Sequence, residues 1–89
     1  MAYLIGQYSV TKIIYSEYGK TQILHKTIPL RDLHLEQHKL EMLGYVFDEY
    51  LSQPEIERYG YSQNDEQGRL IFAYIEYEEV EVDEYEADY

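Results

Sequence analysis

The chain has 89 residues, and its 18 acidic side chains against seven basic ones leave a net charge of −11. That length supports one small core, and that charge argues against direct binding to nucleic acid or an anionic membrane, both of them polyanions. The absence of Cys removes disulfides and thiolate metal sites; with no apolar run near ~20 residues and no basic leader at MAYLIGQYSV, the reading is a soluble cytoplasmic protein.

Residues 2–15, AYLIGQYSVTKIIY, are rich in β-branched and aromatic side chains and predict a strand. Gly6 within it marks a bulge or a close approach. Gly19 follows in a turn, where it reaches positive φ without steric cost. Residues 21–28, TQILHKTI, read as the return strand of a hairpin, ended by Pro29, which has no N–H to donate.

Beyond Asp32, a candidate cap, the apolar spacing turns helical. Leu40, Leu43, Phe47, Tyr50 and Leu51 fall at i, i+3, i+7, i+10 and i+11. The expectation is one helix over 35–52, with Gly44 costing about 1 kcal/mol relative to Ala and Pro54 setting the stop. Residues 54–61, PEIERYGY, suit either a short helical turn or a strand, and 62–68, SQNDEQG, a polar loop. The last strand is 69–82. It is apolar on both faces in its first half, so it is central and covered twice, or covered once and buried at an interface. The fold class is α+β: a small antiparallel sheet of three to four strands with one helix packed across it, β-β-α-(β)-β, as a single domain over 1–89.

Charge is unevenly placed. Residues 1–44 hold five basic and four acidic side chains, a sum of +1, whereas 45–89 hold two against fourteen, a sum of −12. The C-terminal segment 76–89 carries eight carboxylates (Glu76, Glu78, Glu79, Glu81, Asp83, Glu84, Glu86 and Asp88) and no Lys or Arg. Alternate residues of a strand point the same way, about 6.6–6.8 Å apart. Glu79, Glu81 and Asp83 therefore form one row; Glu76 and Glu78, continued past Val80 by Glu84 and Glu86, form another. Duplex DNA advances about 3.4 Å per phosphate along each strand, so a carboxylate row at twice that rise offers phosphate-binding Lys and Arg residues a comparable ladder.

Tyr77 and Tyr85 suit the same role as packing anchors, because aromatic rings stack on guanidinium groups and are enriched at interface hot spots. Asp48 and Glu49 on the helix, and Asp65 and Glu66 in the loop, extend the charged surface if they share its side. The competing reading is a solvated acidic tail. Val80, Val82 and Tyr85, interleaved with the acids, favour an ordered strand.

Other constellations carry less. His34, His38 and Glu41 share a helical face in HLEQHKLE, but Leu35 stands where H-E-x-x-H requires Glu, and they are read as surface residues. No metal or cofactor is expected. There is no nucleophile elbow and no phosphate-cradling Gly loop, and a crowded solvated cluster of acids is not an acid/base pair with separated pKa values. The chain is not read as an enzyme.

In length, charge and its acidic, tyrosine-bearing C-terminus (EYEEVEVDEYEADY), the chain resembles the small phage-encoded acidic inhibitors, the anti-restriction and anti-CRISPR proteins that act as DNA mimics. The resemblance implies a class of action: evasion of host defence, in the host cytoplasm, by occupying the nucleic-acid site of a basic protein. It assigns a role to no single residue. The alternative is a structural or assembly protein, a homodimer paired through the apolar strand at 70–77 and kept soluble by its acids.

Overall fold

The computed structural model describes residues 2–83. In chain order these form β1 (Ala2–Ser16), β2 (Gly19–Pro29), α1 (Leu33–Met42), β3 (Val46–Phe47), β4 (Arg58–Asn64) and β5 (Leu70–Asp83). The five strands make one antiparallel sheet in the order β2-β1-β5-β4-β3. An α+β architecture is therefore correct in outline, but the sheet has five strands where three to four were expected, because the stretch around 46–64 supplies two of them.

The long β1–β5 pair sets the shape. Its register runs from Ala2 opposite Asp83 to Tyr15 opposite Leu70, fourteen pairs in all. β2 covers β1 only from Gln7 onward, and β4 covers β5 only as far as Glu76. Residues 2–6 and 78–83 thus run on beyond the sheet as a two-stranded ribbon, and the molecule is elongated, 49 × 26 × 22 Å.

One face of the sheet holds the core. Tyr8 and Val10 of β1, Tyr61 of β4, and Ile71, Ala73 and Ile75 of β5 are buried together with Leu40 of α1 and Tyr45. The alternation that sends these residues inward sends Tyr15, Phe72 and Tyr74 to the other face. There Phe72 meets Tyr15 at 4.9 Å and Tyr74 at 6.3 Å between ring centroids, and the Arg58 guanidinium lies 4.8 Å from the Tyr74 ring centre. This explains the two apolar faces of 69–82. The strand is central, and both its neighbours come from the same chain.

The expected helix over 35–52 is half as long as the spacing suggested. α1 ends at Met42, and Gly44 follows at φ +92. The Tyr45 N–H donates to the Leu40 carbonyl (3.0 Å) and the Gly44 N–H to that of Glu41 (3.0 Å). This is a Schellman stop, sealed by Tyr45 and Leu40 packing in the same core. The stripe beyond Leu40 dissolves: Leu43 and Phe47 are exposed, and Tyr50 is 92% exposed. Asp48 accepts from the Tyr50 N–H (2.9 Å) and caps a 3-10 turn instead.

That turn is held against β4 at Gly60, whose N–H donates to Ser52 Oγ (2.8 Å) while Ser52 Oγ donates to the Asp48 carbonyl (2.7 Å). A Cβ at position 60 would fall on Leu51 Cβ and within 2.8 Å of its carbonyl oxygen. Because backbone cannot yield as a side-chain tip can, Gly60→Ala is expected to cost about 1–3 kcal/mol. Thermal unfolding followed by circular dichroism will show this as a lower Tm; an unchanged Tm would mean that the turn is not anchored there.

Candidate functional site

The acidic surface is built by strand alternation on the ribbon. Glu79, Glu81 and Asp83 lie on the face that, further along β5, carries the core residues Ala73 and Ile75. Across from them on β1 stand Gly6, Leu4 and Ala2. All three carboxylate residues are exposed. At about 6.6–6.8 Å between alternate residues, they make a row some 13 Å long.

The remaining described acids of β5 point the other way. Glu76 faces Arg58 at 3.7 Å, and Glu78 accepts a hydrogen bond from Gln7 Nε2 at 2.8 Å. The next positions of the expected second row are Val80 and Val82, across from Ile5 and Tyr3. Glu84, Tyr85, Glu86 and Asp88 lie outside the described residues. The ribbon is consequently two-faced, with carboxylates on one side and Tyr3, Ile5, Val80 and Val82 on the other.

Tyr77 supports the acidic face from within. Its ring meets that of Tyr8 edge-on at 6.0 Å, and its hydroxyl donates to Glu79 Oε1 at 3.2 Å. Gly6 permits this, since a Cβ there would come within 2.7 Å of the Tyr77 hydroxyl. The close approach expected at Gly6 is thus the passage of this ring.

Glu57 joins the group unforeseen. It stands at φ 55 between a 3-10 turn and β4. Its Oε1 accepts from the Tyr8 hydroxyl (2.9 Å), and its carbonyl accepts from the Tyr77 N–H (3.1 Å), the last bond before β5 leaves the sheet. The only sequence signal was indirect: a tyrosine in the middle of a core strand needs an acceptor for its hydroxyl.

The other expected contributors lie apart. Asp65 accepts from the backbone N–H groups of Gln67 and Arg69, and its Oδ2 pairs with Arg69 Nε at 2.6 Å. Burial pushes its carboxyl up, but those bonds outweigh it and hold the group below its ordinary value. Asp65 and Glu66 belong to the loop entering β5 at Leu70, the opposite end from Asp83. Asp48 lies near Tyr74, on the side of Glu76 and Arg58, and helps with burial to raise that phenol. Asp48 and Glu49 are therefore not part of the row.

His34 and His38 are exposed on α1, and His34 Nδ1 lies 3.2 Å from Gln37 Oε1. Among the described residues no group of three His, Cys, Asp or Glu side chains is placed to hold a metal, and no helix is long and apolar enough to cross a membrane. Comparison of the chain with protein-family models, curated proteins and solved structures gives no match.

The tyrosines give the site a pH dependence. Burial first, then the hydrogen bond to Glu57 and its charge, push the Tyr8 phenol up to about 12. Burial likewise raises Tyr45, Tyr61, Tyr74 and Tyr77, with Glu79 adding to the last. A raised phenol keeps its proton in the folded state after the unfolded chain, at about 10, has lost it. Stability is then full below pH 10 and falls as pH rises through 10–12. Tyrosinate absorbance and far-UV circular dichroism, titrated together, should show ionisation of these residues coinciding with unfolding, and Tyr8→Phe should move that midpoint upward. Ionisation of all tyrosines near pH 10 with the fold intact would contradict it.

Proposed function

We propose that the protein is a non-enzymatic inhibitor whose acidic ribbon occupies the nucleic-acid site of a basic host protein, a restriction, CRISPR or other DNA-processing enzyme in the host cytoplasm. The observation that supports this best is the row of Glu79, Glu81 and Asp83, all on one exposed face of a ribbon that projects beyond its own sheet. At about twice the 3.4 Å phosphate rise, each carboxylate takes the place of every second phosphate. Projection matters as much as spacing, because a ribbon enters a cleft that a flat sheet does not.

The reading as a homodimer joined through 70–77 loses its strand: residues 70–76 are hydrogen-bonded to β1 on one side and β4 on the other. Polyanion binding weakens steeply with salt. Immobilised protein incubated with host lysate should capture a DNA- or RNA-binding enzyme at low salt and release it to added duplex DNA. Capture that resists both high salt and duplex would overturn the reading.

A further inference from the structure

We infer that a second copy of this chain pairs with residues 2–6 of β1, antiparallel about a two-fold axis near Leu4, and that the paired ribbons present two carboxylate rows in place of one. The second half of this statement rests on the function proposed above; the pairing itself does not.

The free edges of the sheet differ in how they are protected. Exposed edges invite pairing with other chains, and natural sheets blunt them with charge, proline, bulges or brevity. β2 carries Lys20, His25 and Lys26, has a register shift against β1 between Lys12 and Ile13, and ends on Pro29. β3 has two residues. On β5, residues 78–83 hold four carboxylates, so two such edges would repel. Residues 2–6, AYLIG, have none of these devices. They are uncharged and rich in strand formers, with Leu4 63%, Tyr3 45% and Ile5 41% exposed. Two-stranded ribbons are marginally stable alone. This one also exposes an apolar face to water.

The segment is complementary to itself. With Leu4 opposite Leu4 of the second copy, Tyr3 falls opposite Ile5, an aromatic and β-branched pair of the kind that stabilises antiparallel strands. Ala2 falls opposite Gly6, and the pairing ends where β2 takes over, since Pro29 is already opposite Gln7. Among the described residues the open edge matches this segment in length, with Leu30 and Arg31 lining a cavity beside Ile5 and Gly6 at its inner end. The apolar faces, each with Tyr3, Ile5, Val80 and Val82, become one continuous patch on one side of the joined sheet.

On the other side the two β5 strands are separated by three strand spacings, about 14 Å. Two antiparallel rows of Glu79, Glu81 and Asp83 then flank a floor of Leu4 side chains. Their separation is of the same order as the ~12 Å width of the major groove, whose walls are also two antiparallel rows of negative charge. Each copy carries −11, so the copies repel, and screening should favour their association.

The test is sedimentation velocity on the full chain at about 50 and 500 mM salt, with Leu4→Lys and two cysteine probes. The expected result is a dimer that strengthens with salt and is weakened at least about tenfold by Leu4→Lys, a charge placed on the edge. Because the protein has no Cys of its own, Leu4→Cys should oxidise to a linked dimer, the two Cα atoms falling within the 4.4–6.8 Å a disulfide spans. Glu81→Cys, with its mate about 14 Å away, should not. A monomer at every concentration and salt overturns the pairing, as would be seen if this edge receives a strand from another protein. A dimer in which Leu4→Cys fails to link overturns the arrangement. If Leu4→Lys is monomeric yet binds its basic partner undiminished, the double row falls while the inhibitor reading stands. If the linked dimer forms but nothing it binds is displaced by duplex, the inhibitor reading falls and the pairing stands.

Discussion

The triple variant Glu79→Lys/Glu81→Lys/Asp83→Lys should lose at least about a hundredfold in affinity for the captured partner near 0.1 M salt. It should also flatten the dependence of log K on log salt by about three, close to one for each phosphate-like contact removed. All three residues are exposed, so the fold should survive, which circular dichroism will verify. Glu66→Lys serves as the control. It changes charge at the opposite end of β5 and should act only through long-range attraction, with an effect of a few-fold that vanishes as salt is raised. The same loss per reversed charge in the two variants would mean that the partner senses net charge, not the row, and the reading of the ribbon as a phosphate ladder would be abandoned.

The second large effect is expected at Glu36, far from that row. This α1 carboxylate is only 5% exposed, and its Oε1 is 2.9 Å from Lys26 Nζ. Lys12 stands close by, its Nζ 5.0 Å from the Tyr45 ring centre. Burial lowers the Lys12 ammonium below its ordinary value, while the charge of Glu36 works in the opposite direction. Glu36 thus ties α1 to β2 through Lys26, beside the apolar anchors Leu33 and Leu40. Removing one partner of a buried ion pair costs about 3–5 kcal/mol; Lys26 is partly solvated, which lowers the figure for Glu36→Gln to about 2–4 kcal/mol. At about 4–8 °C per kcal/mol for a domain of this size, Tm should fall by about 8–32 °C. A shift of under about 3 °C would show that apolar contacts hold the helix unaided.

Strand alternation explains how much of this was legible beforehand. The period of two holds wherever a strand is regular, so the row of Glu79, Glu81 and Asp83 followed directly from the sequence, while the central position of 69–82 was one of two readings it allowed, chosen by pairing with β1 and β4. The hairpin turn at Gly19, which sits at φ +120, followed as well; at Gly6 the sequence offered a bulge or a close approach, and the Tyr77 ring decided for the second. The helix failed for a related reason. Leu40, Leu43 and Phe47 have helical spacing, but Gly44 followed by Tyr45 forms a stop whenever Tyr45 has a core to enter, and a spacing count contains no core. Glu57 and Glu36 were missed because both act through residues distant in sequence, Tyr8 and Lys26.

By itself, then, the sequence determined the local quantities of this protein: that its first, second and last stretches extend, which side chains share a strand face, and where negative charge accumulates. These depend on bonded geometry and near neighbours. Tertiary structure alone decided that Glu76 is faced by Arg58, and that residues 2–6 and 78–83 outrun their neighbours to form a ribbon whose β1 edge is unguarded among the described residues. Each of these depends on where β2 and β4 stop pairing, which is set by contacts between segments tens of residues apart.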